Sequence, residues 1–330
     1  MKSNLVFCGI ALAVFAGDSF AADPRVGTAG AQFLRVPVGA SMTATGGAAV
    51  ASVEGSEALY WNPAGVSAID GTSATFTHHE YFAGMSQDYF GVSMAVGDEQ
   101  AIGASVNYFT AGEMLRTTEE ATDGIGMFEP YSVAAGLTYS RQMTDRVAVG
   151  ATLKYINEAI DAVSAQGFGF DVGFRYLTDY HGARFSIVMR DLGPKMEFAG
   201  SGLTDDVDGV PVDRKAESYE IPASVNFAAS FDLISTDSAL LTLSGATDLQ
   251  NFAEETVSLG AELNLLDNYY LRAGYSGIGA SDQGYDSGGL AAGGGIYLDL
   301  SGSMGIALDY AYADLGLLDT TDRFSLTVFF

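Results

Sequence analysis

Apolar and polar residues alternate one by one along most of this chain. Val257, Leu259, Ala261, Leu263 and Leu265 interleave with Ser258, Gly260, Glu262 and Asn264. Met304, Ile306, Leu308, Tyr310 and Tyr312 follow the same rule, as do Val225, Phe227, Ala229, Phe231 and Leu233. Successive side chains of an extended strand point to opposite faces, so each run predicts a strand with one apolar and one polar face. About fourteen such runs can be read. They begin near Thr72, Asp88, Ala101, Tyr131, Arg146, Gln166 and Ala183, then near Ala223, Ala239, Thr256, Tyr269, Gly288, Ser303 and Arg323. Short polar turns fall at Gly97–Glu99, Thr144–Asp145, Asp179–His181, Ser235–Asp237, Asp267–Asn268 and Ser301–Gly302. Longer connections lie between them, notably Thr110 to Pro130 and Leu192 to Pro222.

A soluble sandwich would alternate in the same way. Three features favour a membrane barrel. The polar face is small rather than heavily charged. Tyr139, Tyr155, Tyr176, Tyr269 and Tyr270 sit where an interfacial girdle is expected, and short turns oppose longer loops. The final run, Phe324, Leu326, Val328 and Phe330, ends on an aromatic residue, as an outer-membrane assembly signal does. The expected fold is therefore all-β: a 14-stranded antiparallel transmembrane β-barrel over residues 72–330.

Composition narrows the function. Hydrophobic residues make up 48% of the chain, only 17% is charged, and the formal net charge is −26. With a sequence pI near 4.1 the surface repels phosphate, which excludes a nucleic-acid partner. The apolar content also excludes disorder. Lys2, the apolar stretch Leu5–Ala16 and the small residues Ser19 and Ala21 predict a signal peptide over 1–21, cleaved after Ala21. The single cysteine, Cys8, lies inside it, so the mature chain is expected to have no disulfide. No later stretch reaches the roughly 18 apolar residues of a spanning helix, leaving a closed barrel as the way across an outer membrane.

Residues 22–71 break the strand rhythm with Gly39, Gly46, Gly47, Gly55, Gly65 and Gly71. Within them lies Tyr60-Trp61-Asn62-Pro63-Ala64, which holds the only tryptophan. Pro63 biases Asn62 to an extended backbone, so the motif predicts a turn. The segment is expected either to make a tight turn held by a buried Trp or to fold into the lumen as an N-terminal hatch, with these five residues as its plug or gate.

The stretch GGAAVASVEGSEALYWNPAG (Gly46–Gly65) resembles the hatch of the FadL-type barrels, and more closely that of the PorV/PorQ family within that group. GATLKYINEAIDAVSAQGFGFDVGFRY (Gly150–Tyr176), MRDLGPKMEFAGSG (Met189–Gly202), LRAGYSGIG (Leu271–Gly279), DYAYADLG and RFSLTVFF extend the resemblance over nearly the whole mature chain. It implies a 14-stranded barrel and one of two roles. PorV-type proteins receive secretion cargo for a type IX translocon, whereas FadL-type proteins pass hydrophobic small molecules. The connection 192–222 carries Glu197, Asp205, Asp206, Asp208, Asp213, Glu217 and Glu220 against Lys195, Arg214 and Lys215. An acidic rim is a poor funnel for fatty-acid carboxylates, so the secretion adaptor is the preferred reading and hydrophobic-compound transport the alternative. No long loop that would build a hydrophobic capture groove is evident. Outer-membrane lipid and lipopolysaccharide are the expected surroundings.

Other signals are weaker. Lys154, Arg190, Glu262 and Asp309 face the lumen if alternation holds, and are expected to pair with each other or with the hatch. Asp205, Asp206 and Asp208 precede Gly209 as a weak calcium candidate, without the further ligands of a full calcium loop. His78 and His79 point to opposite faces and cannot share a metal ion while extended. Gly17-Asp18-Ser19-Phe20 resembles a hydrolase nucleophile block but falls at the cleavage site, with no triad partners following. No enzyme activity and no cofactor are expected.

Overall fold

A computed structural model describes residues 28–119, 121–207, 210–278, 289–301 and 304–330. The expected signal peptide and Asp208 lie outside the described residues. Fourteen antiparallel strands form a closed meander. They are β1 (Thr72–Glu80), β2 (Ser86–Ala95), β3 (Gln100–Thr110), β4 (Tyr131–Thr144), β5 (Val147–Ile160), β6 (Val163–Leu177) and β7 (Arg184–Leu192). The second half is β8 (Ser224–Thr236), β9 (Ala239–Gln250), β10 (Thr256–Leu265), β11 (Tyr269–Ile278), β12 (Leu290–Ser301), β13 (Met304–Asp314) and β14 (Thr320–Phe329). Each strand pairs with its neighbours in sequence. β14 returns to β1 in the register Ser73↔Phe329 to Glu80↔Asp322, so the barrel has no free edge.

The faces are inverted relative to a soluble protein. On β1, Ser73, Thr75, Thr77 and His79 are buried while Phe76 is exposed. Phe90, Leu137, Phe168, Phe170 and Leu326 likewise point outward. An apolar exterior around a polar interior is what a lipid bilayer requires, and it excludes the sandwich. No helix among the described residues is long and apolar enough to cross a membrane.

One girdle assignment needs correction. Tyr269 is exposed, but its neighbour Tyr270 is not, and Tyr270 packs its ring 4.8 Å from the Arg272 guanidinium inside the lumen. Adjacent strand residues cannot share a face, so only one of the two tyrosines can belong to the girdle. His78 and His79 are split in the same way. His78 Nδ1 lies 2.7 Å from Asp88 Oδ1 on the outer face, and His79 Nδ1 lies 3.3 Å from Gln87 Oε1 on the inner one.

The two ends of the barrel differ. Tight turns join β2 to β3, β4 to β5, β6 to β7, β8 to β9 and β10 to β11 at the end where the chain enters β1. The opposite end carries the long connections 111–130 and 193–223, although β5 and β6 are joined there by only Asp161 and Ala162. The first connection contains a hairpin of Met114–Arg116 with Gly126–Phe128. The second lays Phe198–Ala199 beside β6, through Ala165 and Ser164.

Residues 28–71 lie inside the wall. Gly30 N–H donates to the Glu220 carbonyl at the long-loop end, and Thr72 N–H donates to the Phe330 carbonyl at the other end. Between these points come a 3₁₀ turn (Gln32–Arg35), α1 (Ala40–Ala44), a second turn (Ala49–Ala51), α2 (Gly55–Trp61) and a third turn (Pro63–Ala68). α1 touches β11 to β14, α2 touches β1 to β3, the third turn touches β3 to β6, and the second touches β7 to β9. Only a segment in the lumen can meet the wall from so many sides at once.

Two wall glycines permit this fit. A Cβ at Gly173 would stand 2.3 Å from Asn62 Oδ1, and one at Gly274 would stand 2.1 Å from the Thr45 carbonyl carbon. Gly173 leaves room for the Asn62 side chain and Gly274 for the Thr45 backbone, positions that only glycine fills.

Candidate functional site

The tyrosine-to-alanine motif forms the inner framework of the lumenal segment. Asn62 has an extended backbone (φ −155°, ψ 102°), as the following proline requires, and ends α2. Its Oδ1 accepts from Ala64 N–H at 3.1 Å and its Nδ2 donates to the Val50 carbonyl at 3.2 Å, so one side chain caps the next turn and ties it to an earlier one. The Tyr60 hydroxyl lies 2.9 Å from the Leu34 carbonyl and 3.0 Å from that of Val36; Trp61 Nε1–H donates to the Val38 carbonyl at 2.8 Å. Tyr60 and Trp61 pack edge to face at 5.2 Å. Pro63 and Ala64 are buried against the wall. Burial pushes the Tyr60 phenol up to about 12, so it stays a donor.

Hydroxyl groups fasten this segment to the wall. Ser56 N–H donates to Ser73 Oγ at 2.9 Å, Ser56 Oγ lies 2.7 Å from Thr75 Oγ1, and Ala40 N–H donates to Ser325 Oγ at 2.9 Å. Near the short-turn end, Arg175 Nη2 meets Glu54 Oε1 at 2.6 Å. Glu57 accepts from the Ser41 hydroxyl at 2.6 Å through one oxygen, while its other oxygen has no hydrogen-bond partner. Burial first, and then the Asp309 carboxylate, push the Glu57 carboxyl up to about 7.

The four lumen charges inferred from alternation all point inward, but none pairs directly with another of the four. Lys154 Nζ lies 2.8 Å from Asp171 and 2.7 Å from Asp191. Arg190 lies 3.7 Å from Asp248, and its guanidinium stands 5.6 Å from the centres of both the Tyr60 and Trp61 rings. Glu262 and Asp309 share Arg272, each at 2.5 Å. Sequence reasoning missed the partners Asp171, Asp191, Asp248 and Arg272. Alternation places Arg272 inward, yet its link to Glu262 needs the β10–β11 register, which pairs those two residues directly.

Above Tyr60 and Trp61 a chamber of about 760 Å³ faces the long-loop end. Phe33, Leu34, Tyr81 and Phe109 give it apolar surface; Arg35, Arg190, Arg323, Asn226, Asp248 and Gln250 give it polar groups. Neither Arg35 nor Arg323 was singled out from the sequence.

The weak calcium candidate gains no support. Asp208 lies outside the described residues, and no group of three acidic or histidine side chains among those described could hold a metal ion. The long-loop end also has an apolar feature unseen in the sequence. The 114–128 hairpin exposes Met114, Leu115, Ile125 and Met127.

Against known proteins, the family model described as "Type IX secretion system protein PorV" matches residues 19–245. No curated protein sequence matches. Among solved structures, the CymD monoaromatic hydrocarbon channel is similar with a TM-score of 0.58 at 15% identity, covering 89% of this chain and 96% of that one. A Pseudomonas aeruginosa FadL homologue gives 0.57 at 12% identity, covering 89% and 98%. The Pseudomonas putida toluene transporter TodX gives 0.56 at 14% identity, covering 88% and 96%. At such identities the likeness is one of fold.

Proposed function

The chain belongs to the PorV family of type IX secretion system proteins, and from that premise we propose that it is an outer-membrane secretion adaptor that binds a secreted protein or its translocon at the long-loop end. It binds and passes on its partner without chemical change. The observation that carries this reading is the filled lumen. Residues 28–71 pack against the wall from all sides with Val50, Ala51, Ala58, Leu59, Ala64 and Val66 fully buried, while the chamber faces the long-loop end. A docking protein needs such a receiving surface, open at the long-loop end.

Residues 22–71 act in this reading as the plug, with Tyr60, Trp61, Asn62, Pro63 and Ala64 as its fastening, and the apolar exterior sits in lipid with lipopolysaccharide on its outer leaflet. Residues 1–21 are removed at Ala21, and the β14 pattern serves barrel assembly. A second reading, passage of hydrophobic compounds, is favoured by the apolar residues of the chamber and by the exposed 114–128 hairpin.

Purification from native outer membranes in mild detergent, with mass spectrometry of proteins and lipids, tests the choice. Secreted proteins or a very large barrel in stoichiometric amount are the expected companions. A solitary barrel carrying enriched fatty acids or hydrocarbons would overturn the adaptor in favour of the transporter.

A further inference from the structure

A buried charge is ordinarily held by a partner of opposite sign, so a buried guanidinium without one calls for explanation. Arg323 is 1% exposed. Its single hydrogen bond runs from Nη1 to Thr321 Oγ1 at a long 3.4 Å, and its Nε has none. Among the described residues no carboxylate stands within ion-pairing distance of it, unlike Lys154, Arg175, Arg190 and Arg272 in the same lumen. The register of β14 with β1 sets a histidine, His79, opposite Arg323, and that ring is engaged with Gln87 through Nδ1.

The other groups around Arg323 offer no substitute. Of the carboxylates that share its space, Asp248 meets Arg190, Asp191 meets Lys154, and Asp314 accepts from the Gly316 N–H. Glu254 is engaged as well. Arg35 faces the same space and holds only Gln32 Oε1 at 3.4 Å. Two guanidiniums therefore line one space, neither of them in an ion pair among the described residues. The charge to be balanced at Arg323 is single, and the donor open to a partner is the Nε edge. A divalent, strongly hydrated anion such as sulfate would lose more hydration there than one guanidinium returns. A monovalent, spherical ion accepts a hydrogen bond from any direction and is desolvated at lower cost. We infer that Arg323 carries a chloride ion as its counterion, beside the β14–β1 pair that closes the ring, with Arg35 raising the local positive potential. The ion neutralises a buried charge at the seam and so helps to hold the barrel closed, whichever function the barrel serves.

The test uses the full chain in an uncharged detergent and titrates sodium chloride against sodium gluconate at constant ionic strength. Chloride NMR line width reports binding, and loss of heat-modifiable gel mobility on warming reports barrel stability. The excess line width is expected to saturate below about 0.15 M chloride, the physiological ionic strength. The temperature at which the compact form is lost should rise over the same range, because a ligand that binds only the folded state stabilises it. Arg323→Gln should abolish both responses, and Arg35→Gln should weaken chloride binding several-fold. If R323Q fails to form a heat-modifiable barrel, saturation in the parent together with its weakening in R35Q decides.

Line broadening that grows without saturating, or that survives intact in R323Q, would overturn the inference. A stabilising response to chloride that R323Q retains in full would do the same and assign it to a general effect of salt. Saturable stabilisation by sulfate in place of chloride would also sink it, since the site would then favour a divalent ion.

Discussion

The barrel wall and the segment inside it are stabilised by different physics. Every strand of the wall is hydrogen-bonded on both sides, so its order is cooperative and repeats around the ring. The lumenal segment has two helices of only five and seven residues, too short to persist alone. It is held by tertiary contacts: Asn62 spanning two turns, Tyr60 and Trp61 anchored to the stretch 34–38, and serine and threonine hydroxyls reaching from the wall. The wall could therefore stand without the segment, while the segment could not keep its shape without the wall.

The largest effect expected from breaking this contrast lies in the wall. Lys154→Met leaves Asp171 and Asp191 buried without their cation, which should cost about 3–5 kcal/mol. Urea titration followed by heat-modifiable gel mobility should show the loss, and adding Asp171→Asn and Asp191→Asn should recover most of it. A single mutant as stable as the parent would mean the triad is not needed by the wall.

Asn62→Ala tests the other region. Removing the cap and the Val50 bond should cost about 1–2 kcal/mol, confined to the lumenal segment. Hydrogen exchange should speed up over residues 47–68 and remain unchanged in the strands. Equal acceleration in both would show that wall and segment unfold as one unit.

Glu57 gives a smaller effect with a defined sign. Its carboxyl is raised from about 4.5 to about 7, so the buried form holds its proton more tightly than the unfolded chain does. Ionisation is thus a cost that is absent below 4.5 and complete above 7, and stability of the segment falls as pH rises through that window. The protection factor of α2, exchange corrected for its intrinsic dependence on pH, should be higher at pH 5 than at pH 8, and Glu57→Gln should flatten the difference. A pH dependence that survives the substitution would assign it to another group. The smallest effect belongs to the rim. Arg141 and Glu99 are 3.3 Å apart and exposed, so Arg141→Ala should change stability by less than about 0.5 kcal/mol in the same urea assay.

Legibility in the sequence divides along the same line. The runs assigned near Gln166 and Arg323 fall three residues inside strands that begin at Val163 and Thr320, and Tyr131, Ala239, Thr256 and Tyr269 open their strands as expected. Alternation is a local property that each strand states for itself. Tyr269 and Tyr270 do not form one girdle, because the period of two sends Tyr270 to the lumenal face beside Arg272. The 114–128 hairpin was missed because its apolar residues are split between the two ends of a long connection and become neighbours only when Leu115 pairs with Met127.

The sequence by itself determined the period of the strands, the number of runs, the inward side of Lys154, Arg190, Glu262 and Asp309, and the turn at Asn62-Pro63. These follow from backbone geometry acting over a few residues. Tertiary structure decided where residues 28–71 lie and which charges meet. Arg272 finds Asp309 only after β11, β12 and β13 have aligned, and Arg323 comes opposite His79 only when the last strand closes against the first. Ring closure sets those distances, and no local pattern carries them.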